Sequence, residues 1–282
     1  FFGSGKSHLL KMLAYLLGDV PGRPSARKRA VESFKNKAEA EKDAFLRGKL
    51  DQAERISATS LLFNIDQKAP LIDKNQNDAL LQVFVKVFNE ARGYYAGEPS
   101  VARFERDLDR RGLLEDFKQA FTQIAGVPWE QGREEGILQE HNVTQAFSRV
   151  TGEPASESIL SRYEEQYSLS IEDFADEVGQ WLEARPEGHR LLFMVDEVGQ
   201  FIGSNTKLML NLQTIVETLS TRCNGRAWVC VTSQEDMDGV IGDQTRTQGN
   251  DFSKIQARFA TRMKLTSRDV EEVIEKRLLG KN

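Results

Sequence analysis

Phe1-Phe2-Gly3-Ser4-Gly5-Lys6-Ser7 opens the chain and runs straight into His8-Leu9-Leu10-Lys11-Met12-Leu13-Ala14-Tyr15-Leu16-Leu17. Gly5-Lys6-Ser7 is the tail of the Walker A pattern, GxxxxGK followed by Ser or Thr. In such a loop successive backbone N–H groups curl around a nucleotide phosphate. The lysine reaches the β and γ oxygens, and the hydroxyl ligates magnesium. The helix that follows adds the unpaired N–H groups of its first turn. Gly3 and Gly5 fall where a side chain would block the approach. Gly3, Ser4, Gly5, Lys6, Ser7 and His8 are therefore candidate ATP contacts, with Lys6 also catalytic and Ser7 a ligand of Mg2+. The alternative is a glycine turn that does no more than start a helix. Counting back from Gly5, the first glycine of the motif would precede Phe1, and its feeding strand would come earlier still. A fragment of a longer protein, poor at binding nucleotide alone, is the expectation.

A second stretch answers the first. His189-Arg190-Leu191-Leu192-Phe193-Met194-Val195-Asp196-Glu197 is a continuous apolar run closed by two acids. Such a run suits a strand buried on both faces of a parallel sheet, and acids at its carboxyl end lie where open α/β sheets bind ligands. This is a Walker B signature. Asp196 is the expected support of Mg2+ and Glu197 the expected general base toward water. The alternative, two solvated acids opening a loop, weakens beside Gly5-Lys6-Ser7.

Composition sets the outer bounds. The chain has 282 residues, 39% hydrophobic and 29% charged, with a net charge of −5 and two cysteines, Cys223 and Cys230. That length holds one large or two small domains. No apolar run reaches the length of a membrane span. Two cysteines without metal-ligand spacing fit a reducing, cytoplasmic setting. The acidic balance speaks against wholesale capture of nucleic acid.

Between these motifs, 57–66 reads as a strand ending near Asn64, and 77–92 as an amphipathic helix. Residues 25–55 are highly charged: solvated helices with intrahelical ion pairs, or less favourably a basic handle. From 100 to 187 only helical periodicity is evident, with Thr144, Ser156 and Ser170 as candidate caps. The aromatic stripe Phe104, Phe117, Phe121, Phe147, Phe174 and Trp181 reads as core. Residues 208–221 read as a helix and 226–234 as a strand. Its polar end offers Ser233 and Gln234, with Thr232 behind them, to the γ-phosphate or the lytic water. Cys230 within it reads as a small hydrophobe. A helix capped by Asp251, a short strand at 262–265 and a last helix complete the chain. Arg258 would face a neighbouring subunit's phosphate or make a surface ion pair.

In this order the pieces resemble an AAA+ type P-loop ATPase. Lys254-Ile255-Gln256-Ala257-Arg258-Phe259 is similar to the arginine-finger box of replication-initiator ATPases. More narrowly, the opening stretch, Leu62-Phe63-Asn64-Ile65-Asp66-Gln67-Lys68 and Phe193-Met194-Val195-Asp196-Glu197-Val198-Gly199-Gln200-Phe201-Ile202 resemble the P-loop ATPase of bacteriophage-exclusion (BREX) defence systems, the BrxC/PglY family. The resemblance implies ATP hydrolysis or ATP-gated assembly in antiviral defence, as a homo-oligomer acting with a DNA methyltransferase, and with DNA contact that is indirect. It also implies that Asn64 holds Glu197 inactive until a partner binds, and that Ser233 serves as first sensor. The expected fold is a three-layer α/β P-loop NTPase with a parallel central sheet lacking its first strand and a large helical insertion. The expected divisions are 1–69, 70–187 and 188–282.

Overall fold

Arg190–Asp196, the apolar run closed by an acid, is the middle strand (β2) of a three-stranded parallel sheet. The structure, a computed structural model, describes residues 5–37, 42–69, 76, 78–154, 158–203, 205–233, 259, 261 and 263, apart from the side chain of Ile137. β1 (Ala58–Asn64) and β3 (Ala227–Val231) flank β2, both parallel to it. Leu191 to Val195 are buried without exception, as a strand covered on both faces requires. The register sets Asn64 opposite Asp196, so an amide and an acid share one tip of the sheet.

The described chain divides into two compact units, Phe1–Val83 with Ile171–Asn282, and Phe84–Ser170. In the first, helices cover both faces of the sheet. α1 (Lys6–Leu17) packs Leu10 and Ala14 against Ala58, Leu192 and Met194. Phe193 points to the opposite face by strand alternation and meets Phe174 at 6.1 Å between ring centroids.

α2 (Ala26–Lys35) and α3 (Ala44–Arg55) lie beside α1. Here the charged stretch has a structural task. The Arg27 guanidinium donates to Leu16 O at 3.4 Å and to Ala53 O and Ile56 O at 2.5 and 2.6 Å. It adds donors to carbonyls at the ends of α1 and α3, of which Ala53 O also accepts from Ile56 N–H at 3.3 Å. Lys35 pairs with Asp51 and Glu54.

A short helix α4 (Ile65–Lys68) follows β1, and α5 (Ala79–Arg92) buries Leu80, Leu81, Phe84, Val85 and Phe88 on the expected apolar stripe. The second unit contains α6 (Pro99–Arg110), α7 (Leu114–Ala125), α8 (Trp129–Glu135), a 3-10 turn at Gly136–Gln139, α9 (Glu140–Thr151) and α10 (Ile159–Glu165). Its core is aromatic: Phe117 stands edge-on to Phe104 and to Trp129, each at 5.0 Å. A side chain at Gly132 would strike the Phe121 ring, so glycine there lets α8 lie on that ring. The Glu140 carboxylate accepts from the N–H groups of Leu160 and Ser161, complementing the positive end of α10.

α11 (Ile171–Glu183), α12 (Val198–Ile202) and α13 (Thr206–Arg222) complete the first unit. The stretch 70–187 holds no strand among its described residues. Phe174 and Trp181, however, lie on α11 and meet Phe193 of β2 and His189. A helical stripe has a period but does not name the core it faces. No helix among the described residues is long and apolar enough to cross a membrane.

Element ends differ from expectation where side chains cap them. β1 stops at Asn64, because that side chain accepts from Gln67 N–H and starts α4. α13 begins at Thr206, capped by Asn205. Thr144 lies inside α9, which starts at Glu140. Ser156, Gln234, Asp251, Arg258, the 262–265 strand apart from Met263, and the last helix lie outside the described residues, as do Gly3 and Ser4.

The amino-terminal edge of the sheet is pinned by His189. Its Nδ1 lies 2.8 Å from Ser57 Oγ and its Nε2 3.1 Å from Thr59 Oγ1. A neutral ring needs one donor and one acceptor, and two rotating hydroxyls supply both. Burial pushes the His189 pKa down, and the Arg185 charge adds to that, with Arg226 in the same sense and Asp19 opposed. With the folded value below the ordinary value of about 6.5, the unfolded chain binds more protons as pH falls past that point. Stability is then full above it and is lost below it. The melting temperature is expected to fall between pH 7 and pH 5, and His189→Gln to flatten that part of the profile. An equal slope in the variant would remove His189 as the cause.

Candidate functional site

Gly5 adopts φ 75°, ψ 5° immediately before α1. That left-handed geometry favours glycine and turns the chain into the helix. Lys6 and Ser7 occupy the first turn, half-buried, and His8 beside them is exposed.

The direction of α1 follows from its far end. Gly18 lies so close to β1 that a Cβ would meet Ser60 Oγ at 2.5 Å. Asp19 N–H donates to Ala58 O and Asp19 O accepts from Ser60 N–H, both at 2.8 Å. The carboxyl end of the helix therefore lies at the amino-terminal half of β1, and Leu10 and Ala14 pack on the sheet before it. Twelve helical residues span about 18 Å, and a seven-residue strand about 20 Å. Laid along the strands, a helix of that length would bring Gly5, Lys6 and Ser7 to the carboxyl edge of the sheet, the edge of Asn64, Asp196 and Glu197.

At that edge four side chains form one network. Asn64 Nδ2 donates to Glu197 Oε2 at 2.5 Å while its Oδ1 accepts from Gln67 N–H at 3.1 Å. The backbone donor fixes which way the amide faces. Thr232 Oγ1 donates to Asp196 Oδ1 at 2.5 Å and accepts from Glu197 N–H at 3.0 Å. Thr232 N–H continues the ladder to Val195 O at 3.1 Å. Glu197 holds φ 64°, ψ 26°, a left-handed conformation that costs a non-glycine residue about 1–2 kcal/mol.

Ser233 sits against the first turn of α12. A Cβ on Gly199 would collide with Ser233 Oγ and lie 2.7 Å from its Cβ, so glycine two places after Glu197 lets the chain leaving β3 close on that turn. Sequence reasoning passed over Gly199 and placed Thr232 behind Ser233. The available signal was chemical: a hydroxyl at the strand end can donate to an acid and accept from an N–H at once.

Ser7 and Asp196 are the candidate oxygen ligands, and no dedicated metal cage accompanies them among the described residues. Among the described residues no group of three or more His, Cys, Asp or Glu is arranged to hold a metal. Mg2+ keeps several waters and takes one or two protein oxygens together with substrate phosphates, a demand that one hydroxyl and one carboxylate would meet without such a group. Among the described residues Asp196 has one hydrogen bond, on Oδ1, and Oδ2 takes none. Both cysteines are free, and burial raises both thiols, Cys223 to about 11. Neither is poised as a nucleophile.

No protein-family model matches the chain, and no solved structure matches it.

Proposed function

We propose that the chain is the core of an AAA+-like P-loop ATPase that binds ATP with Mg2+ and hydrolyses its γ-phosphate. The observation that carries this is an acid pair clamped by Asn64 and Thr232 at the carboxyl edge of a parallel sheet, with a helix entered through left-handed Gly5 packed on that same sheet. The N–H groups of the first turn of α1 and the Lys6 ammonium would hold the phosphates. The Ser7 hydroxyl and Asp196 would hold the metal, which when bound neutralises charge spread over the phosphate oxygens. Glu197 takes the proton of the attacking water. Arg258 from a neighbouring copy would complete the site in a homo-oligomer. The sequence resemblance supports placing this activity in BREX antiviral defence, in the cytoplasm, alongside a DNA methyltransferase.

A second reading, a nucleotide-gated switch with little turnover, is favoured by the Asn64–Glu197 contact. A carboxylate held by an amide is turned from its task as base. Magnesium-dependent ATP hydrolysis by the intact protein, lost in Lys6→Ala, tests the first reading. Absence of nucleotide binding in both proteins would sink both readings. Asn64→Ala separates them. It should cost about 1–2 kcal/mol of stability through the lost cap and hydrogen bond, and raise basal turnover severalfold if the amide restrains Glu197. A fall of tenfold or more would mean that Asn64 holds Glu197 ready for catalysis instead.

A further inference from the structure

We propose that Thr232 governs this site as a positioning residue for the metal-binding acid and makes no contact with phosphate; this rests on the ATP·Mg2+ reading above. The direction of its hydroxyl proton is forced. Glu197 N–H can only donate, so it occupies a lone pair of Oγ1 at 3.0 Å. The Asp196 carboxylate accepts, so the one hydroxyl proton lies on the 2.5 Å line to Oδ1. The backbone N–H of Thr232 is taken by Val195 O. Thr232 therefore has no proton left for a γ-phosphate.

Its two bonds reach both acids of the pair in different ways. One fixes the side chain of Asp196 by a single oxygen, and Oδ2 takes no hydrogen bond among the described residues. The other holds the backbone of Glu197 in its left-handed conformation. A β-branched side chain is stiff about χ1, so the clamp is set before any metal arrives. Partners that orient a metal ligand in this way are worth about 10- to 100-fold in metal affinity.

The test titrates a fluorescent ATP analogue into the intact protein over a series of Mg2+ concentrations and again in EDTA. Thr232→Val, nearly isosteric but without the hydroxyl, is expected to raise half-saturating Mg2+ by about 10- to 100-fold and to leave affinity in EDTA unchanged. Thr232→Ser restores both hydrogen bonds and should return to within about threefold of the parent. In an Asp196→Asn background, Thr232→Val should add little, because its effect runs through that carboxylate. Thr232→Cys, a weak donor of similar size, carries the same test if the valine variant does not fold. An unchanged Mg2+ midpoint in a folded variant, or a loss of affinity confined to EDTA, overturns the proposal while the parent's Mg2+-dependent binding stands. If the parent's own binding ignores Mg2+, the ATP·Mg2+ reading fails first, and this proposal with it.

Discussion

Glu197→Gln is expected to lower ATP turnover by about 10²–10⁴-fold, the usual contribution of a positioned general base, with nucleotide binding retained. The substitution changes little else. Glutamine keeps an oxygen for Asn64 Nδ2, the backbone N–H stays on Thr232, and the left-handed conformation is the same. The change in stability should stay near 1 kcal/mol, the difference between a charge-assisted and a neutral hydrogen bond. Single-turnover hydrolysis with saturating ATP reads the chemical step, and a thermal melt reads the fold. A variant that turns over at the parent rate removes Glu197 as the base. One that melts far lower would show a mainly structural carboxylate.

Glu105→Ala is the substitution with the largest expected effect on stability, about 3–5 kcal/mol. Glu105 is 1% exposed. Its Oε1 accepts from Trp129 Nε1 at 2.7 Å and from Arg133 at 2.8 Å, and its Oε2 accepts from Tyr95 N–H at 2.5 Å. Arg133 is itself well covered and stacks over the Tyr95 ring at 5.2 Å. Removing the carboxylate strands a buried guanidinium, an indole N–H and a backbone N–H together, in a helical unit whose aromatic core is built around Trp129. Glu105→Gln keeps an acceptor and should lose less. Urea unfolding followed by circular dichroism, with both variants beside the parent, measures the order. Equal stability in all three would mean that water or a rearranged Arg133 satisfies the site.

Much of the frame was legible residue by residue. The apolar run 190–196 could be covered only on both faces, and its terminal acid had to lie at the carboxyl edge. The sequence reads as helical from about Ser7 to Leu17, and α1 begins one residue earlier, at Lys6. The 25–55 stretch was legible as helical, while the task of Arg27 was not: the carbonyls it donates to come from Leu16, Ala53 and Ile56, which are distant along the chain. Of the stripe read as core, Phe104, Phe117, Phe121, Phe147 and Phe174 are buried and Trp181 is only half-buried, and Phe174 faces Phe193 of the sheet whereas Phe104 faces Phe117. Periodicity orients a side chain on its own helix and is silent about the partner.

By itself, the order of residues determined the parallel apolar strand, its closing acids, the glycine-led helix start and the helical character of 70–187. These are local properties, set by period, turn chemistry and the company of neighbouring residues. The tertiary structure brings Asn64 to Glu197, a pairing that the resemblance implied and the residue order alone did not, and only it decided that Thr232 rather than Ser233 holds Asp196 and that Gly199 lets the end of β3 approach α12. Those pairings join positions well separated along the chain, 36 apart for Thr232 and Asp196 and 133 for Asn64 and Glu197. They depend on strand register, where a shift of one place would send each side chain to the other face.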